Sequence, residues 1–163
     1  MLILMAMGKT AVSRIIAKID DTDVSHVALS SREICDHGLV FHSSTQGVEI
    51  VSRDYFKKKH EMKRIYDIDV GPYEESALLW SMMKLYEGAR YDYLATAYAG
   101  IYLLMRKIGI SISSHNVWNN RNHFMCLEFA IRAIFGESPQ EVIGLKAFEE
   151  KVKERLNGDM QIF

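Results

Sequence analysis

Apolar positions fall in short runs up to Gly71-Pro72 and in helical spacing after it. Leu2 to Met7 is an unbroken apolar run of strand length. Lys9 to Ile19 carries Val12, Ile15, Ile16 and Ile19 at the spacing of an amphipathic helix. Val24 to Leu29, Gly38 to Ser43 and Val48 to Val51 read as short strands, the last following a turn at Gln46-Gly47. Ser52 stands where it can cap a short helix through Lys59, and Lys63 to Val70 alternates as a strand does. Beyond the Gly-Pro break, Glu74 to Tyr86 predicts a buried helix ending at Gly88, and Tyr93 to Lys107 a second. Ser111 to Arg121 is polar and reads as a loop. His123 to Phe135 is a strongly apolar helix with Asn122 as its cap and Gly136 as its stop. Lys146 to Leu156 shows a narrow stripe of Leu145, Phe148, Val152 and Leu156, ending at Asn157-Gly158. Strands first and helices after predict an α+β fold with an antiparallel sheet, not a doubly wound parallel one.

No internal repeat, low-complexity stretch or Ser/Gly-rich linker divides residues 1–163, so a single domain is expected. About half the residues are apolar and a quarter charged, an ordinary globular composition. The net charge of −1 supplies no global positive field, so nucleic acid is not an expected partner. The opening MLILMAMGKT has an apolar run too short for a signal sequence and no basic flank, which predicts a cytoplasmic chain. The uncharged run Tyr93 to Met105 is shorter than the about 20 residues a membrane span needs, so no stable membrane insertion is expected. Two cysteines, Cys35 and Cys126, without a secretion signal read as free thiols.

Cys126 lies near the start of the predicted helix His123–Phe135. A helix N-terminus lowers a thiol pKa and favours the nucleophilic thiolate; the same position on an apolar helix also suits an inert core residue. His26 sits inside a short apolar strand and is either a satisfied core histidine or a base. His42 ends the next strand, and antiparallel pairing of the two strands sets both imidazoles side by side on one sheet face. One ring could then accept a proton while the other orients it, with Cys126 facing them.

The ordered set of motifs resembles the circularly permuted papain-like enzymes related to the NlpC peptidases. The resemblance is carried by LILMAMGKTAVSRIIAKIDDTDVSHVAL, by Val40-Phe41-His42, and by Gly47-Val48-Glu49-Ile50. It continues in Ser52-Arg53-Asp54-Tyr55-Phe56, Gly88-Ala89-Arg90-Tyr91-Asp92 and Cys126-Leu127-Glu128. These run in family order from about residue 1 to about residue 135. Lecithin-retinol acyltransferase relatives share the order His, His, Cys. The resemblance implies a small curved antiparallel sheet packed on helices. It implies Cys126 as nucleophile, His26 as general base and His42 as the orienting third member. Tyr91 would stand near the oxyanion, and Glu128 would be a supporting residue that orients a loop or pairs with Arg132 at i,i+4. The implied activity is a cysteine hydrolase acting on an amide, peptide or isopeptide bond through a thioester. An acyltransferase or thioesterase of the same fold and a non-catalytic binding module are the alternatives. The partner is then a peptide, amide or acyl substrate, and the chemistry needs no metal or organic cofactor.

The remaining candidates carry less. Cys35-Asp36-His37 with His26 and His42 could form a zinc cluster, but a hairpin-loop position suits exposed turn residues better. Lys57-Lys58-Lys59 reads as a solvated basic helix face, and His60, His115 and His123 as surface or packing residues.

Overall fold

The computed structural model of the chain describes residues 1–31, 38–69, 71–115, 122–136 and 139–156. Its elements run β1 (Leu2–Gly8), α1 (Ala11–Ile19), β2 (His26–Ser30), β3 (Leu39–Ser44), β4 (Gly47–Ser52), α2 (Arg53–Lys59) and β5 (His60–Asp67). Four helices follow: α3 (Pro72–Tyr86), α4 (Tyr93–Lys107), α5 (Cys126–Phe135) and α6 (Leu145–Leu156). The five strands form one antiparallel sheet in the order β4-β3-β2-β1-β5. With six helices among the described residues, the architecture is α+β.

The two faces of the sheet are covered unequally. Ile3, Met5, Val27, Leu29 and Phe41 point to the face where α5 and α6 lie, against Phe129, Ala130, Phe148 and Val152. Leu4, Ala6, Ala28 and Val40 point to the other face, where Phe56 of α2 covers them. Burial on both faces explains why β1 is an unbroken apolar run rather than an alternating one. Each fully buried phenylalanine contributes about 1.5–3 kcal/mol of hydrophobic stabilisation.

Several elements differ from their sequence expectation, each for a tertiary reason. β5 begins at His60 rather than Lys63, because β1 pairs with it along its whole length, from Leu2↔Asp67 to Gly8↔His60. α3 is not the buried helix expected: among its described residues Leu78 and Met82 alone are buried, while Tyr73, Trp80 and Met83 are exposed. α5 starts at Cys126, three residues later than predicted, with Met125 rather than Asn122 at its cap and no side-chain cap bond. The preceding residues are drawn off into a short pairing with 90–92, in which Arg90 N donates to Asn122 O (2.9 Å) and Phe124 N to Arg90 O (2.8 Å). Gly136, at φ 77°, ends α5 as expected, since glycine enters the left-handed region without steric cost. Ser52 caps α2, accepting from Tyr55 N at 3.1 Å. No helix among the described residues is long and apolar enough to cross a membrane.

Candidate functional site

β2 and β3 place two imidazoles in contact. His26 Nε2 and His42 Nδ1 are 3.0 Å apart, a hydrogen bond, with the rings edge to face. His42 is buried, and burial, with the nearby His60 and Lys59, lowers its pKa to about 4. Burial lowers that of His26 as well, helped by His42 and His60. Both rings are therefore neutral near pH 7. Among the described residues, buried His42 Nε2 has no hydrogen-bond partner; it lies 3.8 Å from the Glu49 carboxylate, which accepts from Ser44 Oγ. The distance is too long for a hydrogen bond but close enough for charge stabilisation.

A third imidazole completes the cluster. His60 stacks on His26 with ring centroids 4.7 Å apart and 18° between planes, and on Phe56 with centroids 4.3 Å apart. His60 Nδ1 is 3.2 Å from Phe56 O, so Nδ1 carries the proton and donates. Burial is the first cause of its lowered pKa. Sequence reading placed His60 among the surface or packing residues. No local sequence signal marks it, because its place follows from the β1–β5 pairing, Gly8↔His60.

Cys126 is the first residue of α5, and its sulfur faces the amides of Val27, Leu127 and Cys126 itself. The helix start does not lower the thiol pKa as the sequence suggested. Although the residue keeps some exposure, burial around the sulfur pushes its pKa up, and the three amides only oppose that shift. His26 and His42 share one sheet face, as the strand pairing predicts, and are bonded at 3.0 Å, but Cys126 does not pack on that face. Val27 and Leu29 face α5, with Cys126 packed on their cluster, whereas His26 rests near Phe56 (5.9 Å) on the α2 side. His26 and Cys126 approach the same cavity because each is the first residue of its element and stands at the rim of the sheet. That cavity, about 810 Å³, is lined by His26, His42, His60, Cys126 and Tyr91. Its lining also includes Ile16 of α1, Ala99 and Leu103 of α4, Ile143 and Leu145, and polar residues such as Ser25, Glu49 and Lys59.

Tyr91 reaches the cavity through the 90–92 pairing that displaces the start of α5. Its hydroxyl lies 3.1 Å from Thr96 Oγ1, which donates to Asp92 O (2.7 Å), and burial, with Cys126 nearby, raises its pKa to about 12. It therefore keeps a proton to donate. Ser43 Oγ donates to Phe124 O at 2.6 Å, tying β3 to the residues just before Cys126. Glu128 lies outside the cavity, fully buried, and among the described residues neither carboxylate oxygen has a well-formed hydrogen bond. Burial first and Asp92 second raise its pKa to about 7, and Arg132 opposes them. The Arg132 guanidinium itself lies over the Phe124 ring at 5.1 Å. Cys35 and His37, the zinc alternative, fall outside the described residues. Among the described residues no group of three or more His, Cys, Asp or Glu side chains could hold a metal ion. No protein-family model matches the chain, and no curated protein matches it.

Proposed function

We propose that the chain is a cysteine hydrolase of the circularly permuted papain-like kind, with Cys126 as nucleophile, His26 as base and His42 as the orienting residue. The observation that carries this reading is the His26–His42 hydrogen bond opening on the cavity that also receives the Cys126 thiol and the Tyr91 hydroxyl. With Nε2–H of His26 donating to His42 Nδ1, the lone pair of His26 stays on Nδ1, the nitrogen free to act as base. A raised thiol pKa and a lowered imidazole pKa describe a neutral pair at rest. The proton passes from Sγ to His26 Nδ1 as the sulfur attacks a substrate carbonyl, and Glu49 beyond His42 favours the resulting cation. The uncapped amides at the start of α5 and the Tyr91 hydroxyl are the donors for the oxyanion. His26 then protonates the leaving group, and water resolves the thioester.

A second reading, acyl transfer or thioester hydrolysis, is favoured by one feature: the cavity lining includes the aliphatic side chains of Val12, Ile16, Leu103, Ile143 and Leu145. Both readings are tested by incubating the protein with p-nitrophenyl esters of short and long acyl chains and with a peptide p-nitroanilide, followed by intact mass. An acyl adduct on Cys126, absent in Cys126→Ala and slowed by orders of magnitude in His26→Ala, is expected. Preference for long esters selects the acyl reading. Equal turnover in folded Cys126→Ala refutes both, and no adduct with any substrate leaves the binding module.

A further inference from the structure

The basic run at the end of α2 reaches the cavity. Lys58 and Lys59 line it, and so does Lys9, just before α1. Backbone pairing brings these lysines to the imidazoles: Gly8 pairs with His60, and Lys9 N donates to Lys59 O at 3.1 Å. Lys9 Nζ donates to Lys57 O at 3.1 Å, and Lys59 Nζ lies over the Tyr55 ring at 4.6 Å. Among the described residues none of Lys9, Lys58 and Lys59 forms an ion pair. An ammonium group carries three N–H donors, so each keeps some to spare. Two carboxylates line the same cavity, and both are engaged elsewhere. Glu49 accepts from Ser44 Oγ beside His42 and attracts Lys59 only from beyond ion-pair distance. Asp20 accepts from Lys146 N at 3.0 Å.

Left without a countercharge, the lysines oppose the proposed chemistry. Burial is the first cause of the lowered imidazole pKa values. His60 and then Lys59 add to it at His42; Lys59 and then Lys9 add to it at His60, where the bond to Phe56 O opposes them. A mechanism that forms an imidazolium beside three cations calls for an anion among them, and Glu49 is one against three. We infer that Lys9, Lys58 and Lys59 form an anion subsite, and that the substrate carries a carboxylate or phosphate which they hold beside the imidazoles. The inference rests on the hydrolase reading and names its substrate class. The bound anion orients the substrate and offsets the lysine field on His42 and His60; a neutral or cationic substrate leaves that field in place.

The test compares mono-p-nitrophenyl glutarate with p-nitrophenyl valerate, whose acyl groups are of similar length and differ in the terminal carboxylate. Inorganic phosphate and acetate are titrated separately against the imidazole NMR signals. An exposed ion pair is worth up to roughly fivefold, so the lysines together should make acylation of Cys126 by the glutarate ester roughly tenfold faster at low salt. The advantage should shrink as salt is added. Lys58→Gln/Lys59→Gln, and separately Lys9→Gln, should each lower the glutarate-to-valerate ratio by roughly threefold and weaken anion binding in parallel; circular dichroism verifies folding. The tighter of phosphate and acetate names the group. Equal rates for the two esters in wild type overturn the inference and leave the hydrolase reading intact, with any phosphate binding an adventitious ion only. A ratio unchanged in both folded variants overturns it too. If neither ester acylates Cys126 while an anion binds and the lysine variants weaken it, the hydrolase reading fails and the anion subsite stands. No acylation and no anion binding overturns both.

Discussion

At the scale of single residues, the site depends on how one imidazole is held. His26 has three ring neighbours: His42 bonded to Nε2, His60 stacked face on, and Phe56 tilted at 5.9 Å. The stack fixes the plane of His26, and therefore the direction of Nδ1. His60→Ala should slow adduct formation at Cys126 by about tenfold to a hundredfold, since misplacing a base by an ångström is enough to do so. His60→Phe keeps a flat ring in the same place and should recover most of that loss. The downfield imidazole proton shared by His26 and His42 gives an independent reading by NMR. It should persist in His60→Phe and vanish in His60→Ala; its survival in His60→Ala would contradict a positioning role. The sequence indicated two of these rings, because pairing of neighbouring strands sets His26 beside His42. It could not indicate the third, because His60 comes to the cluster through β1, and that register is set by packing along the whole strand.

At the scale of elements, the approach of one turn to another decides where Tyr91 stands. Gly47 opens β4 at φ 111°, and a Cβ there would lie 2.5 Å from Ala89 O and 3.2 Å from Arg90 Cα. Gly47→Ala should therefore cost about 2–3 kcal/mol, strain and overlap together, and push Tyr91 off the cavity. Gly38, at φ 73° with nothing within 4 Å of its Cβ position, is the control. Gly38→Ala should carry only the strain, about 1–2 kcal/mol, and leave adduct formation at Cys126 unchanged. Thermal melting and adduct rates, measured together, separate the two; equal losses of rate would sever Gly47 from the site. The helix and strand order, the Ser52 cap and the Gly136 stop were readable from the sequence, because each rests on local spacing or a local backbone preference. The true start of α5 was not. Asn122 is a good cap by composition, yet its carbonyl pairs with Arg90, and the helix begins without a side-chain cap. Nor was the exposure of α3 readable, since its apolar count does not say how many neighbours the fold supplies.

At the scale of the molecule, buried ionisable groups give stability a defined dependence on pH. His26, His42 and His60 titrate lower in the folded chain than their ordinary 6.5, His42 at about 4. The unfolded chain takes up their protons first as pH falls, so their contribution is complete above pH 6.5 and is lost below it. Glu128 acts in the opposite sense. Its folded pKa, about 7, lies above the ordinary 4.5, so the folded chain holds a proton that the unfolded chain has shed. Its contribution is complete below pH 4.5 and is lost as pH rises to about 7. Three histidines outweigh one carboxyl, so the melting temperature should climb between pH 4.5 and 6.5. Glu128→Gln removes the opposing term: near pH 4.5 it should match wild type, and at pH 8 it should exceed it by about 1–3 kcal/mol. Melting curves at the two pH values check this, and a difference independent of pH would mean that Glu128 is already ionised in the fold.

All five strands and all three clustered imidazoles lie between residues 2 and 67, whereas the thiol they would serve comes at 126. A chain made from its N-terminus therefore emerges from the ribosome with its proton-handling side first. The sheet cannot bury Ile3, Met5, Val27 and Leu29 until α5 arrives, and α5 brings Cys126 as its first residue. On the proposed mechanism, the helix that with α6 covers this face of the sheet also brings the nucleophile. A nascent or truncated chain lacking α5 would have the base without the nucleophile, and could attack nothing while still half made.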